Sequence, residues 1–205
     1  MSASIVDRID QDLAWVAGIK SGVSAYAYVL DRYNRRHRTR GARRWLIDQI
    51  VDLAAYEYRR SVGRKVELLT FSDGAFQCLF DYTLERTILM YGDTRETEAN
   101  TRDNAYHRGY PRREGMDKGH AMAHAQGGLE GGPNYFPQAA ALNRGRHDAG
   151  KLWRAIETYL AANAGLFAFV RLIYAPGNAG DTPGEVEYGL LDNVSQFRSV
   201  IFPNS

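Results

Sequence analysis

At Gly63 the hydrophobic pattern of this 205-residue chain changes period, so the chain must combine helices with strands. Before it, apolar residues recur at the three-to-four spacing of a helix. Ile5, Ile9, Leu13, Val16 and Ile19 mark one helix over residues 4–19, with Ser4 as its N-cap. Trp45, Leu46, Ile50, Leu53, Ala54 and Tyr58 mark a second over 44–60, stopped by Gly63. Between them, residues 25–33 are apolar and aromatic and fit either strand or helix. After Gly63 the apolar residues gather in short β-prone runs. Residues 66–71 and 75–82 flank Ser72-Asp73-Gly74, and an Asp-Gly between two such runs signals a hairpin. Residues 87–91, 167–174, 186–191 and 199–202 read as further strands, and 151–162 as a helix. The expected fold is therefore α+β: an N-terminal helical extension over residues 1–62 and a mixed core over 63–205. Residues 93–115 are polar and read as a long surface loop, a length usually tied to function or mobility.

Composition narrows the function classes. With 44% hydrophobic and 24% charged residues, the chain can bury one sizeable core and is not of the disordered kind. The single cysteine, Cys78, rules out an intrachain disulfide, and its apolar neighbours suggest a buried thiol. Apolar runs are too short for a membrane span, and the N-terminus lacks the pattern of a cleaved signal peptide. A cytoplasmic site of synthesis is expected, with any delivery into a target cell by a leaderless route. The net charge of +2 says little, but six arginines and one histidine lie between Arg35 and Arg44 without an acid. Such a cluster suits a nucleic-acid backbone, an acidic partner or a solvated helix face.

The chemistry is concentrated in three blocks. Asp117-Lys118-Gly119-His120 comes first. Asn134 and Asn143 follow, nine positions apart, with Pro137-Gln138 between them. Trp153 and Glu157 close the set. Phosphodiester hydrolysis needs an activated water, a neutralised phosphate and a stabilised leaving oxygen. A histidine can take the proton from water, and His120 is the candidate. Magnesium prefers oxygen ligands and keeps most of its waters. Asn143 can give it an amide oxygen, and Glu157 a carboxylate for a metal-bound water. Asn134 can orient His120 or the hydrated ion, with Asp117 and Gln138 as further supports. Manganese suits the same ligands. Arg112 and Arg113 on one side of the motif, and Arg144 and Arg154 on the other, are candidate phosphate contacts together with Lys118.

In order and spacing these blocks resemble the DNA/RNA non-specific endonucleases of the ββα-metal, or His-Me finger, superfamily. The family's motifs are Asp-Arg-Gly-His, Asn-x-x-Pro-Gln-x-x-x-x-Asn and Trp-x-x-x-Glu. The terminal Phe202-Pro203-Asn204 and the run Val186-Glu187-Tyr188 look like closing strands of its bacterial toxin members. The resemblance implies a ββα-metal finger on an antiparallel sheet, acting as a magnesium-dependent nuclease of DNA, RNA or both. It makes His120 the general base, Asn143 the direct metal ligand, Glu157 a water-mediated ligand and Asn134 a supporting residue. It also implies an antibacterial effector with an immunity protein as inhibitor.

Two departures bear on that expectation. Lys118 stands where the family has arginine, so the planar two-pronged grip on phosphate is replaced by a point charge. Trp153 follows Asn143 by ten residues, a longer step than the family's. On one unbroken helix Asn143 and Glu157 would lie about 21 Å apart. Residues 144–150, bounded by Gly145 and Gly150, are therefore expected to loop out. The alternative reading is a nucleic-acid- or partner-binding module on a catalytically weakened scaffold.

Overall fold

The computed structural model describes residues 25–63, 65–97, 105, 108–191 and 197–205. The helix expected over 4–19 and the middle of the 93–115 loop lie outside the described residues.

Two helices come first. The ambiguous segment is helical, α1 (Ala25–Arg36), and buries Val29 and Tyr33 four residues apart. Helix α2 (Ala42–Val62) buries Ala42, Leu46, Ile50, Ala54, Tyr58 and Val62, a strict step of four that draws one apolar stripe. Gly63 ends it at φ +67°, where its N–H caps the Arg59 carbonyl; a side chain would strain this left-handed conformation.

Six antiparallel strands form the main sheet: β1 (Leu68–Asp73), β2 (Phe76–Asp81), β3 (Arg86–Asp93), β6 (Phe167–Ile173), β7 (Glu185–Leu191) and β8 (Phe197–Pro203). They lie in that spatial order. The expected hairpin joins β1 to β2, with Asp73 paired to Phe76 and Gly74-Ala75 as the turn, one position on from the Asp-Gly pair. Between β3 and β6 the chain leaves the sheet to build β4 (Met116–His120), β5 (Tyr135–Ala139), α3 (Ala140–Asn143) and α4 (Asp148–Ala162). Strands β4 and β5 pair with each other as a separate antiparallel ribbon. The ribbon and the two helices form a ββα unit.

Strand register shows which layer covers which face. Arg171 on β6 stands opposite Glu187 on β7, so the two share a face. Arg171 Nε donates to Glu187 Oε2 at 2.9 Å, and its Nη1 reaches Glu57 of α2. The next pair, Val170 and Tyr188, points to the opposite face. There Trp153 of α4 packs on Tyr188 and on Phe202 of β8, with ring centroids 4.9 and 5.4 Å apart. Helix α2 thus covers one face of the sheet and α4 the other. With both faces covered, the central strands β6 and β7 are buried almost throughout, and β3 along its first five residues, instead of alternating.

The buried residues of α1, α2, the sheet and the ββα unit belong to one hydrophobic cluster. A polar chain strengthens the helix–sheet joint: Arg86 Nε donates to Tyr58 Oη at 2.8 Å, and Tyr58 donates to Asp81 at 2.5 Å. Residues 25–62 therefore share their core with residues 63–205, on both sides of the expected boundary.

Candidate active site

Strand β4 alternates its side chains, so Lys118 and His120 share one face while Asp117 and Gly119 take the other. Each face builds a separate group of contacts.

On the first face, His120 pairs in register with Tyr135 of β5, and their rings meet edge to face at 4.9 Å. Lys118 places Nζ 4.5 Å from the centre of the same tyrosine ring and 3.4 Å from its hydroxyl. Glu130, on the loop between the strands, closes the cluster. Its Oε2 lies 3.3 Å from His120 Nε2 and accepts the Tyr135 hydroxyl. Both partners are nearly buried, at 11% and 9% side-chain exposure, so water screens the pair weakly. Burial alone would raise the Glu130 carboxyl. The Tyr135 hydrogen bond and the charges of His120 and Lys118 outweigh it and hold the group below its ordinary range. An ionised carboxylate only accepts, so His120 Nε2 is the donor and Nδ1 the basic nitrogen of the neutral ring.

The loop carrying Glu130 is shaped by Asn134. This side chain is 1% exposed, and its amide is spent on backbone. Oδ1 accepts from Met122 N at 2.8 Å, and Nδ2 donates to the carbonyls of Met122 and Leu129, both at 2.9 Å. Asn134 therefore clamps the chain that follows His120 and precedes Glu130. Gly128 makes the clamp tight: a Cβ there would stand 2.0 Å from Met122 O.

On the second face, Asp117 meets the end of α3. Asn143 Nδ2 donates to Asp117 Oδ2 at 3.1 Å, and Arg144 grips both carboxylate oxygens at 2.7 and 2.5 Å. Burial pushes Asp117 upward, but Arg144 and Asn143 outweigh it and hold the carboxyl below its ordinary range. The bond to Asp117 fixes the Asn143 amide and assigns its oxygen, Oδ1, as the atom turned away from the carboxylate. Gln138, opposite Asp117 in register, is fully buried. Neither polar atom of its amide has a hydrogen-bond partner among the described residues. It fills the space over Gly119, where a Cβ would come within 2.5 Å of Gln138 Cβ.

The helix is broken after Asn143. The turn is shorter than the 144–150 loop expected from the sequence, because His147 caps α4 by accepting Gly150 N–H on Nδ1 at 2.9 Å. Gly150 then lies inside α4, against the α3 carbonyls: a Cβ would stand 2.6 Å from Ala141 O. This contact turns α4 back along α3, and the Arg154 stem passes the turn with Cγ 3.3 Å from a Gly145 Cβ position. Glu157 pairs with Arg154 at 3.1 Å. Its carboxyl is raised by burial, against the opposing pull of Arg154 and Trp153. Among the described residues, its side chain meets Arg154 of α4 and its carbonyl accepts from Gln126 Nε2 at 3.1 Å.

Arg112 and Arg113 are exposed on an open groove of about 430 Å³ lined also by Arg108, Tyr110 and Pro137. Pro137 stands opposite Lys118 in the ribbon, so the groove borders the site. Arg113 is tied to Thr182, and Tyr110 Oη donates to Asp181 at 3.2 Å. In the arginine-rich cluster, Arg35, Arg43 and Arg44 pair with Asp31, Asp93 and Asp48, while Arg36, Arg38 and Arg40 are exposed.

Among the described residues no group of three or more His, Cys, Asp or Glu could hold a metal. Zinc, which wants three or four ligands from histidine, cysteine and carboxylate side chains, does not fit the described residues. A hard cation that keeps most of its waters does fit an oriented amide oxygen such as Asn143 Oδ1. Two residues were not legible as site residues. Glu130 sits in a glycine-rich stretch with no periodic signal. Asn204, in the terminal Phe-Pro-Asn, fixes the edge of β5: it accepts Ala139 N–H at 2.7 Å and donates to Pro137 O at 2.9 Å.

No protein-family model matches this chain, and no curated protein matches it. Solved structures similar to it include an extracellular endonuclease, 19% identical, covering 69% of this chain and 79% of the other with a TM-score of 0.43. The EndoG/EndoGI complex, described as showing the mechanism of EndoG inhibition, is 13% identical with coverage of 73% and 80% and a TM-score of 0.43. An extracellular nuclease is 16% identical, with coverage of 69% and 85% and a TM-score of 0.42. At identities and TM-scores of this size, what the site does has to be argued from its own residues. Those residues and the α+β fold define a ββα unit that presents a histidine–carboxylate pair and an oriented asparagine amide.

Proposed function

We propose that this protein is a metal-dependent, sequence-nonspecific endonuclease that hydrolyses phosphodiester bonds of DNA, RNA or both. The observation that carries the reading is the orientation of His120 by the buried Glu130 carboxylate, on the ribbon whose other face orients Asn143. In this mechanism His120 takes the proton of the attacking water on Nδ1, while Glu130 holds Nε2–H and stabilises the imidazolium that results. Lys118 supplies positive charge beside that ring. Asp117 fixes the Asn143 amide, leaving Oδ1 to hold a hydrated magnesium or manganese ion, with Glu157 as a further candidate through water. When bound there, such an ion neutralises charge on the phosphate and the departing oxygen. Arg112, Arg113 and Arg154 are the candidate contacts to flanking phosphates. Arg144 acts chiefly on Asp117.

As a biological role we propose an antibacterial effector toxin, with the exposed arginines Arg36, Arg38 and Arg40 open to an acidic immunity protein. The enzymatic test is degradation of plasmid DNA and of RNA with magnesium, with EDTA, and with His120→Ala. Metal-dependent loss of the plasmid, the RNA or both in wild type alone supports the reading, and metal-replete wild type that leaves both intact overturns it. Nucleic acid that is bound but left intact would identify a binding module instead. For the toxin role, expression should arrest a host without the immunity protein, and Asn143→Ala should relieve the arrest.

A further inference from the structure

Beside the site lies a second cavity of about 300 Å³, at the small end of ligand pockets. It shares Tyr110 and Asp181 with the arginine-lined groove. It shares Tyr135 with the His120 cluster, so one aromatic ring separates it from the histidine. Phe80, Tyr110, Tyr135 and Tyr174 give it aromatic walls, and Gly132-Pro133 form a rim.

Arg86 also lines this cavity and is only 3% exposed. The guanidinium stacks 3.8 Å over Tyr174, Nε donates to Tyr58, and Nη1 donates to Gly180 O. Nη2 is buried and has no hydrogen-bond partner among the described residues. A buried cationic donor left unmade costs free energy, so a small shift of Arg86 that lets Nη2 meet an acceptor entering the cavity is favoured. The occupant is not a phosphate, because the carboxylates of Asp181 and Glu85 also line the cavity. A neutral, flat group with a carbonyl edge and donor N–H groups suits the aromatic walls, the arginine and the carboxylates together.

We infer that this cavity binds an unstacked nucleobase of the substrate, guanine foremost, next to the phosphate presented to His120. Guanine offers O6 and N7 to an arginine and N–H groups to a carboxylate. Stacking on the tyrosines supplies affinity with little regard to sequence. The inference rests on the nuclease reading for its substrate class, and it would make single-stranded or locally opened nucleic acid the preferred form.

Gly132 provides the test. Gly132 lines the cavity and a Cβ there meets nothing within 4 Å, so Gly132→Trp adds an indole at the cavity lining without a clash at its Cβ. The full chain, in EDTA, is titrated calorimetrically with guanosine 5′-monophosphate, adenosine 5′-monophosphate and ribose 5-phosphate. Guanosine monophosphate should bind wild type about tenfold or more tightly than ribose 5-phosphate, and more tightly than the adenosine compound. Gly132→Trp should abolish that preference, and a folded Arg86→Lys should weaken it. The inference is overturned if guanosine monophosphate does not bind, if ribose 5-phosphate binds equally, or if Gly132→Trp binds like wild type. Because binding is read without metal or turnover, an inactive protein that passes this test would sink only the nuclease reading. An active nuclease that fails it would sink only the base pocket.

Discussion

Glu130 Oε2 stands 3.3 Å from His120 Nε2, and both side chains are almost wholly buried. Replacing the carboxylate by its amide keeps the shape and removes the charge. Glu130→Gln should lower the cleavage rate roughly 10–100-fold, as expected when a group orienting a reactive histidine is lost. A carboxylate beside an imidazole favours its protonated form, so the acid limb of the pH–rate profile should move to lower pH in the variant. A rate loss with an unmoved limb would mean that Glu130 supports only the loop.

Asn143 should be needed for the metal and not for the fold. Asn143→Ala should leave the melting temperature within a few degrees of wild type, since the side chain gives up one hydrogen bond worth about 1 kcal/mol. Nuclease activity should fall to the level seen with EDTA at any magnesium concentration. Full activity at saturating magnesium would remove Asn143 from the metal site.

Gly150→Ala tests the helix break. In an open helix this change stabilises by up to about 1 kcal/mol. Here the new Cβ would stand 2.6 Å from Ala141 O, a backbone atom that cannot swing away. We expect destabilisation of about 1–3 kcal/mol, read from urea unfolding. A gain in stability would show that α3 and α4 do not pack this closely.

Acid should weaken the site region first. Glu130 and Asp117 both have folded values below the ordinary carboxylate range. Each therefore binds protons less readily in the folded chain than in the unfolded one. Their stabilising contribution is complete above that range and is lost as pH falls through the depressed folded values. The urea midpoint should drop on acidification below about pH 4, and less steeply in Asp117→Asn. An unchanged slope in the variant would assign the acid sensitivity elsewhere.

Cys78 should be chemically silent. Burial pushes its thiol up to about 12, with the Thr87 hydrogen bond opposing only in part. A thiol reagent at pH 8 should react negligibly with the native chain and fully after denaturation. Rapid labelling of native protein would contradict the burial of β2.

The sequence by itself determined a helix over 44–60, within two residues of its observed ends at each side, the hairpin around Asp73-Gly74, most strands of the large sheet and the burial of Cys78. These follow from periodicity and turn chemistry, which are local. The spacing of Asp117, His120, Asn134 and Asn143 also marked one stretch as the candidate site. Only the tertiary structure decided what those residues touch. Glu130 reaches His120 because Asn134 ties the intervening loop to the backbone of Met122 and Leu129. Arg144, a candidate phosphate contact in the sequence, has its guanidinium on Asp117. The turn after Asn143 is set by His147 and by the close approach of Gly150 to α3. Such pairings depend on where distant backbone segments cross, and no hydrophobic period encodes that. The period change at Gly63 announced two kinds of structure. The register of Arg171 with Glu187, and of Val170 with Tyr188, decided that the helices lie on opposite faces of one sheet.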